Sequence, residues 1–399
     1  MNLMIKPLTL LILLLFALPE SQTQVKEAMK LCEHNAFSTA NPKSQSYTID
    51  LRTITRLPAS LYESSGIVVS NENRIWSHQD SGNENMLYCF DTTGSIIRTL
   101  VISNAQNIDW EDLAIDDQNR IYINDAGNNN NNRTDLVIYR IPDPETFTGS
   151  FVNAEIISFT FEDQTQFPPP QSNLNFDIEG LIWHDDSLFL FTKNRSVPQN
   201  GYCKMYKLPS EPGTYTAILL DSVYLGNTNA MARVTAADIL AETGELVLLT
   251  ETRIVSFTNY TGNRFFNGEM LEYVFTYAPG QNEGLAFITP NRLYMTQEGT
   301  GGIPGFLYEI VMPITGIPDG PTGQLKFNVF PNPARDILSI SSYFSDPALL
   351  ELYDIHGKLL YQSEIGSSRQ LDVSGFEPGV ICVRLTGDNQ YFTRKIVKL

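Results

Sequence analysis

The chain has 399 residues and a formal net charge of -18, with 45 acidic side chains against 27 Lys and Arg. This charge excludes the class of nucleic-acid-binding proteins, because contacts to phosphates require a basic face. The 18 Tyr and 22 Phe occur at short intervals, which favours strands over long helices, and the length allows two domains.

Residues 1–23 have the layout of a secretory signal peptide. Lys6 precedes an apolar run from Leu8 to Leu18, and a polar stretch then leads to predicted cleavage near Thr23. An uncleaved helix is the alternative. Because a membrane span needs roughly 20 apolar residues and no later stretch approaches that, the sequence predicts no transmembrane helix. Residues 24–45 are predicted to be a linker.

Residues 46–313 contain a repeated unit. Each copy reads acidic residue, apolar strand, turn, second apolar strand and polar end, and two further strands follow. A unit of four strands repeated every 40 to 50 residues is typical of a β-propeller. The sequence predicts an all-β fold with a five-bladed propeller. A sixth blade with a degraded motif stays an alternative, because the middle copies lie further apart. The copies begin at Glu63, Glu111, Glu179, Asp238 and Glu283.

The last copy has a third strand at residues 305–312 but no fourth. The strand-like segment from Ser46 to Thr55 precedes the first copy and belongs to none. We predict that it completes the last blade, because ring closure leaves no long unpaired strand edge.

Residues 314–324 form a linker rich in Pro and Gly, and residues 325–399 show short strands at regular spacing. Pro331-Asn332-Pro333 and Pro378-Gly379 are turn sequences, and Asp354 to Gly357 is a hairpin connection, which together predict a small β-sandwich.

These motifs, in this order, resemble the type A sorting domain of the type IX secretion system of Bacteroidetes. A generic immunoglobulin-like or adhesive module is the alternative. The resemblance implies contact with the type IX secretion machinery and passage through the outer membrane. Removal of the domain would follow, with attachment to surface glycolipid or release. The protein is therefore expected to be secreted or held at the cell surface.

The repeated acids are predicted metal ligands. Each precedes the first strand of its unit, and antiparallel neighbours start and end at the same face, so all five should line one mouth. Carboxylates about 6 Å apart repel by roughly 3 kcal/mol per pair, so the ring must bind a cation or hold protons. Oxygen ligands without His or Cys favour calcium. Supplementary ligands would be Ser64, Asp109 and Asn282. The alternative is a clasp, in which each acid binds the backbone of the neighbouring blade.

Glu179-Gly-Leu181 and Glu283-Gly-Leu285 resemble motifs of the calcium-centred five-bladed nucleotidases and, more loosely, of esterase-like phytase and paraoxonase propellers. The resemblance implies calcium and hydrolysis, and it carries over no catalytic residue.

Further polar side chains follow the second strands, where they would form a face for a substrate or ligand. Basic groups beside a cation suit a phosphate or carboxylate. The alternatives are turn chemistry and simple neutralisation of an acidic chain. The residues of this predicted face are Asp125, Arg133, Lys193, Arg195, Arg253 and Glu298.

His78, with Asp80, is the candidate catalytic pair, since a histidine beside a carboxylate can act as a general base. A structural histidine is the alternative. The four Cys are scattered, and we predict no essential disulfide. Two functions stay open. One is a non-catalytic surface propeller that binds a small molecule, glycan or protein. The other is a calcium-dependent secreted hydrolase of a phosphoester or lactone.

Overall fold

The computed structural model describes residues 45–313, 327–342, 348–354, 358–366, 368–387 and 390–399. The chain divides into two compact units between Met312 and Pro313. In the described residues of both, strands are the main regular secondary structure. Within the described ranges, no helix is long and apolar enough to cross a membrane. The predicted signal peptide, residues 24–44 of the linker predicted at 24–45, and the predicted linker at 314–324 lie outside these ranges, whereas Gln45 begins the first strand.

The first unit consists of short strands joined by tight turns and loops. Two strands open it: β1 (Gln45–Ile49) and β2 (Leu51–Arg56). Group one is β3 (Ser64–Asn71), β4 (Arg74–Gln79), β5 (Met86–Phe90) and β6 (Ile96–Ile102). Group two is β7 (Leu113–Ile115), β8 (Ile121–Asp125), β9 (Val137–Ile141) and β11 (Glu155–Phe161), with the short β10 (Phe151–Val152) inserted before β11.

The remaining groups follow the same plan. Group three is β12 (Ile178–His184), β13 (Ser187–Thr192), β14 (Tyr202–Pro209) and β15 (Gly213–Tyr224). Group four is β16 (Val234–Leu240), β17 (Glu245–Thr250), β18 (Arg253–Thr258) and β19 (Glu269–Phe275). Group five is β20 (Asn282–Thr289), β21 (Arg292–Gln297) and β22 (Phe306–Val311). Single helical turns lie at Ala59–Leu61, Pro144–Thr146, Gln171–Asn173, Asn229–Ala232 and Phe265–Asn267.

Within each group the strands pair antiparallel in chain order, and a parallel pairing of β11 with β15 joins groups two and three into one eight-stranded sheet. The first strands of the groups contact one another in the cyclic order β3, β7, β12, β16, β20 and back to β3. Separate apolar clusters fill the spaces between neighbouring groups, such as the one that joins Phe159 of group two to Tyr206 of group three. The unit is therefore all-β and propeller-like.

The N-terminal segment closes the ring, but not as one strand. β2 pairs antiparallel with β22, which confirms the predicted completion of the last group. β1, in contrast, pairs in parallel with β19 of group four. The segment breaks at Asp50, which belongs to neither strand. β1 thus covers the free edge of β19, as β10 covers that of β6, and both remove exposed edges that would otherwise pair with other chains.

The second unit contains two antiparallel sheets. One is formed by β23 (Phe327–Phe330), β24 (Ile337–Ser342) and β27 (Ser368–Asp372). The other is formed by β25 (Ala348–Tyr353), β26 (Leu359–Ile365), β28 (Gly379–Gly387) and β29 (Gln390–Lys398). Their inner faces share one apolar core, in which Leu338 of the first sheet and Val383 of the second are fully buried.

The Pro331-Asn332-Pro333 motif fastens the last strand of this unit. The Asn332 Oδ1 atom accepts a hydrogen bond from the Val397 backbone N–H at 2.8 Å, and its Nδ2 donates to the Lys395 carbonyl at 3.2 Å. The motif is therefore more than turn chemistry, because its amide pairs with two backbone groups of β29. Among the cysteines, Cys89 and Cys203 are buried and free, Cys382 is free, and Cys32 lies outside the described residues.

Candidate functional site

The mouth is the end of the ring at which the first strands begin and the second strands end. Its loops are long: residues 162–177 join β11 to β12, and residues 126–136 join β8 to β9. At the opposite end the first and second strands are joined by tight turns, such as residues 72–73 and 185–186. Long loops held by a rigid scaffold are where binding residues concentrate, so the mouth is the candidate functional face.

A β-bulge marks the start of the first strands. The pairing register shifts at Glu179 in β12, at Thr235 in β16 and at Glu283 in β20. A bulge leaves one residue unpaired and redirects its side chain. Glu179 and Glu283 are only 1% and 7% exposed, so the bulges bring two carboxylates into the interior of the ring.

Lys193 supplies the cation for these carboxylates. Its Nζ atom lies 2.8 Å from Glu179 Oε2 and 3.9 Å from Glu283 Oε2. Arg195 joins from the same loop, with its NH2 atom 2.9 Å from Glu179 Oε1 and its Nε atom 2.6 Å from Asp177 Oδ2. The predicted ligand-face residues Lys193 and Arg195 are therefore counter-ions of the ring.

A second group of carboxylates lies beside this one. Oxygens of Asp80, Asp109 and Glu111 lie within 4.8 Å of one another, and so do oxygens of Glu111, Asp177 and Glu179. Gly127 leaves room for the first group, since a Cβ atom there would stand 2.3 Å from Glu111 Oε1 and 2.6 Å from Asp109 Cγ. Either group of three could hold a metal ion.

Burial and mutual repulsion shift the protonation of this cluster. Burial, with the charge of Asp177, raises the pKa of Asp109 to about 7. Burial raises the pKa of Glu283 to about 8 and, with the charge of Asp80, that of Glu298 to about 7. Burial also raises the pKa of Glu111 well above its ordinary value. Burial, reinforced by neighbouring carboxylates, therefore favours the protonated form of these acids.

These shifts set an expected pH dependence of stability. The folded state holds protons on Asp109, Glu283 and Glu298 up to about pH 7 to 8, whereas the unfolded chain releases them near pH 4. Stability should therefore fall as pH rises from about 5.5 to 8. His78 acts in the opposite sense, because burial lowers its pKa to about 4, but it is one group against three.

Thermal denaturation in chelator at pH 5.5 and pH 8 measures this effect. We expect a melting temperature several degrees lower at pH 8. An equal or higher value at pH 8 would show that these carboxyls are not protonated in the folded protein.

The structure brings together three of the five predicted metal ligands, Glu111, Glu179 and Glu283. Glu63 lies at the edge, where its Oε2 accepts a hydrogen bond from Asn83 Nδ2 at 2.6 Å. Asp238 does not reach the mouth. It belongs to the far part of β16 and lines a depression of about 180 Å³ at the opposite end of the ring. Its Oδ2 accepts the Phe287 backbone N–H at 2.7 Å, which is the geometry of the predicted clasp.

The predicted supplementary metal ligands also differ in whether they belong to the cluster. Asp109 belongs to the cluster. Ser64 exchanges a hydrogen bond with Ser77 at 3.1 Å, and Asn282 Nδ2 donates to the Glu251 carbonyl at 3.0 Å, so both pair within the scaffold.

The candidate catalytic pair separates. His78 is fully buried, its Nδ1 atom lies 2.9 Å from the Gln79 carbonyl, and its ring packs edge-on against Trp110. Because the ring is enclosed, a substrate in the mouth does not reach it, and the geometry favours the alternative of a structural histidine. Asp80 does lie in the cluster, where burial raises its pKa.

The remaining ligand-face residues take separate positions. Arg133 NH1 pairs with Asp125 Oδ1 at 3.1 Å, and both lie beside Asp109, whose backbone N–H donates to Asp125 Oδ1 at 3.0 Å. Glu298 lies close enough to Asp80 for the charge of that residue to raise the pKa of Glu298. Arg253 is 3% exposed and donates to the backbone carbonyl of Leu225, so its guanidinium holds a loop and is not open to a ligand.

Sequence reasoning missed Asp177, Thr235 and Arg233. A corrected alignment on the bulge would have found them, because Asp177 precedes Glu179 by two residues, as Asp109 precedes Glu111 and Arg233 precedes Thr235. Each first strand therefore offers two positions to the mouth, one at the bulge and one two residues earlier.

The first unit is thus a propeller-like domain with a carboxylate-rich mouth, and the second is a small two-sheet domain. Residues 328–399 match the family described as Secretion system C-terminal sorting domain. The chain is therefore type IX secretion cargo: its sorting domain implies interaction with the secretion machinery and export to the cell surface or beyond.

No curated protein matches the chain. Among solved structures, an oxidoreductase described as a glucose dehydrogenase from Thermus thermophilus is similar at 10% identity and a TM-score of 0.35. That match covers 66% of this chain and 100% of the other.

Proposed function

We propose that this exported protein is a five-bladed propeller that binds a divalent cation, calcium, at Asp80, Asp109 and Glu111, and recognises a ligand at the loaded mouth. The observation that carries the proposal is this triad of carboxylates. Its oxygens lie within 4.8 Å of one another, and in the described part of the chain no protein hydrogen bond satisfies the carboxylates of Asp109 and Glu111.

The blade count rests on the five cyclic contacts between first strands. The wide spacing of the middle copies, which suggested a degraded sixth blade, has another source. It comes from the loop at residues 162–177 and from β15, which runs for 12 residues. Between residues 162 and 177 the structure has only one helical turn, and residues 225–233 likewise contain one.

The neighbouring triad is a poorer cation site. Both carboxylate oxygens of Glu179 are held by Lys193 and Arg195. Asp177 accepts the Asn128 backbone N–H on one oxygen and Arg195 on the other. A metal ion there would have to displace these donors and would meet two positive charges. In the first triad no Lys or Arg bonds directly to a carboxylate in the described part of the chain, and the Ser81 backbone N–H is the one donor held, by Asp80 Oδ1.

Calcium suits the first triad because it takes six to eight oxygen ligands and tolerates irregular geometry. The three carboxylates would supply part of this shell, and Asp125 Oδ2, a buried oxygen without a hydrogen-bond partner, is a further donor nearby. Calcium would neutralise carboxylate oxygens that the protein leaves unpaired. Burial close to other carboxylates raises the pKa values of these groups, and it favours a bound cation for the same reason.

The variant Asp109→Asn tests the site. It removes one charged ligand while it keeps the size of the side chain, and Asp117→Asn, an exposed acid at the opposite end of the ring, is the matched control. We expect calcium to raise the melting temperature of the wild type and of D117N by several degrees, and to leave D109N nearly unchanged. A wild type whose melting temperature ignores both calcium and chelator would refute the site.

Ligand binding, whether of a small molecule, a glycan or a protein, is favoured over catalysis because His78 is buried. One observation supports the second candidate, a calcium-dependent hydrolase of a phosphoester or lactone. Arg133 and Arg195 lie on either side of the triad, where they would stabilise an oxyanion. A panel of such substrates with and without chelator decides between them, since a non-catalytic propeller turns over none.

The tail and the N-terminus have proposed roles in export. We infer that residues 1–23 are a signal peptide of a Bacteroidetes-type route, and that the sorting domain is removed near residues 314–324 after passage. The mature propeller would then be surface-attached or free.

A further inference from the structure

Arg233 differs from the other basic residues of the mouth. Lys193, Arg195 and Arg133 each form an ion pair with a carboxylate. For Arg233 no ion pair occurs within the described ranges, and its Nε atom makes only a long hydrogen bond, 3.4 Å, to the Asn194 carbonyl. Its guanidinium is half-buried at the start of β16. It is thus a cation with unused donors.

The surroundings of Arg233 place it at the mouth. Its backbone bridges to that of Lys193, and its charge interacts unfavourably with Arg195 and favourably with Asp177, Glu179 and Glu251. Two adjacent guanidinium groups repel, and an anion between them would relieve that repulsion. The three acids do not relieve this repulsion, because Asp177 and Glu179 already bond to Arg195 and Glu251 is exposed.

A second, independent observation comes from Thr235. It is the bulge residue of β16, in the position that Glu179 and Glu283 hold in their own strands. The side chain is 8% exposed, and its Oγ1 atom has no hydrogen-bond partner among the residues that the structure describes. A buried hydroxyl without a partner is costly, so this side of the mouth has a polar position that the protein itself leaves unfilled.

Arg233 and the proposed cation site belong to different groups of the ring. Arg233 directly precedes β16 of group four, whereas the acids of the proposed cation site come from groups one and two. A ligand with an oxyanion would bind Arg233 and contact the calcium at the cation site.

Apolar side chains stand on the loops around this centre. They lie on the loops that join the strands at the mouth, and each is strongly exposed. These residues are Ile108 at 42%, Tyr277 at 48%, Ile303 at 55% and Val197 at 60%. Exposed apolar groups around a charged centre favour an organic ligand over a bare inorganic ion.

We propose that Arg233 is the anion receptor of the mouth, and that the ligand is an organic oxyanion whose apolar part lies against the loops. This deepens the proposed function, on which it rests for the calcium. The bidentate fork of Arg suits phosphate and carboxylate alike, so the oxyanion is the shared chemistry.

Isothermal titration of the full chain tests the proposal with three probes: inorganic phosphate, phenyl phosphate and benzoate, each in calcium and in chelator. We expect one of the organic probes to bind more tightly than inorganic phosphate. Phenyl phosphate as the tighter probe would identify phosphoryl ligands, and benzoate would identify carboxylates. Arg233→Gln should weaken binding of that probe by roughly 10- to 100-fold, while calcium affinity stays unchanged.

Arg264→Gln is the matched control, because Arg264 is an exposed arginine on a loop at the opposite end of the ring. It should bind like the wild type, and Arg233→Lys should recover part of the affinity. Ile303→Ser should reduce the preference for the organic probe. Unchanged affinity in R233Q, or no binding of any probe to a calcium-loaded wild type, would overturn the proposal. Arg233-dependent binding in a protein that ignores calcium would refute the cation site alone.

Discussion

We expect Lys193→Met to lower the free energy of unfolding by about 3–5 kcal/mol at pH 8. Lys193 is 13% exposed in its side chain and lies between Glu179 and Glu283, which are more deeply buried. Removal of the ammonium leaves Glu283 without its cation and Glu179 with Arg195 alone, so the desolvation of these buried carboxylates is less well opposed. Denaturation in urea by circular dichroism measures the change.

Lys207→Met is the matched control, since the Lys207 ammonium lies 5.5 Å from the Phe189 ring and forms no ion pair among the described residues. It should cost less than about 1 kcal/mol. The loss in K193M should shrink at pH 5.5, because Glu283, whose pKa is already raised to about 8, can then take up a proton. A loss below 1 kcal/mol at pH 8 would show that Lys193 does not balance the ring.

Asp112→Ala should be about as damaging, at roughly 3 kcal/mol or more. Asp112 is fully buried, and its Oδ2 accepts the backbone N–H groups of Leu181 in β12 and Ala237 in β16, each at 3.0 Å. Its Oδ1 accepts the Leu113 N–H at 2.9 Å. The side chain therefore ties three groups of the ring together. Alanine would leave three buried donors unsatisfied, at about 1–3 kcal/mol each.

Asp112→Asn separates hydrogen bonding from charge. Burial raises the pKa of Asp112 well above its ordinary value, so the folded protein favours the neutral carboxyl. The Asn carbonyl can replace the oxygen that binds Leu181 and Ala237. We expect D112N to lose about 1–2 kcal/mol, clearly less than D112A. Equal losses in urea denaturation would mean that the charge, and not the bridging contacts, stabilises the ring.

The strand pattern of the chain is readable from the sequence because repeated apolar periodicity survives in every group. The β2 strand that completes group five is predictable for the same reason, since group five lacks one strand. The tail is predictable through its turn motifs. The second role of the N-terminal segment, with β1 on β19, is not predictable, because strand pairing across groups depends on edges that only the assembled ring exposes.

The site was less accessible to sequence reasoning because a bulge shifts the register by one residue. Alignment on the nearest acid equates Glu63 with Glu111, whereas alignment on the bulge equates Ser65 with Glu111 and Thr235 with Glu179. The same error selected Asp238, which lies three residues beyond its bulge. Glu63 lies two residues before Ser65, so neither acid holds the position that the bulge residue holds in its strand.

Lys193 illustrates a different limit. The spacing of 14 residues correctly placed it at the same end of the ring as Glu179. It did not reveal that the ammonium would turn inward and bind two carboxylates. That orientation follows from the electrostatics of the closed ring, in which buried acids stabilise a buried cation.

Direct calcium titration of the chelator-treated full chain is the most direct test of the central claim, that the mouth is a divalent-cation site. We expect one calcium ion per molecule, bound by the wild type and by D117N and not by D109N. Absence of binding by the wild type, or undiminished binding by D109N, would contradict the assignment of Asp80, Asp109 and Glu111.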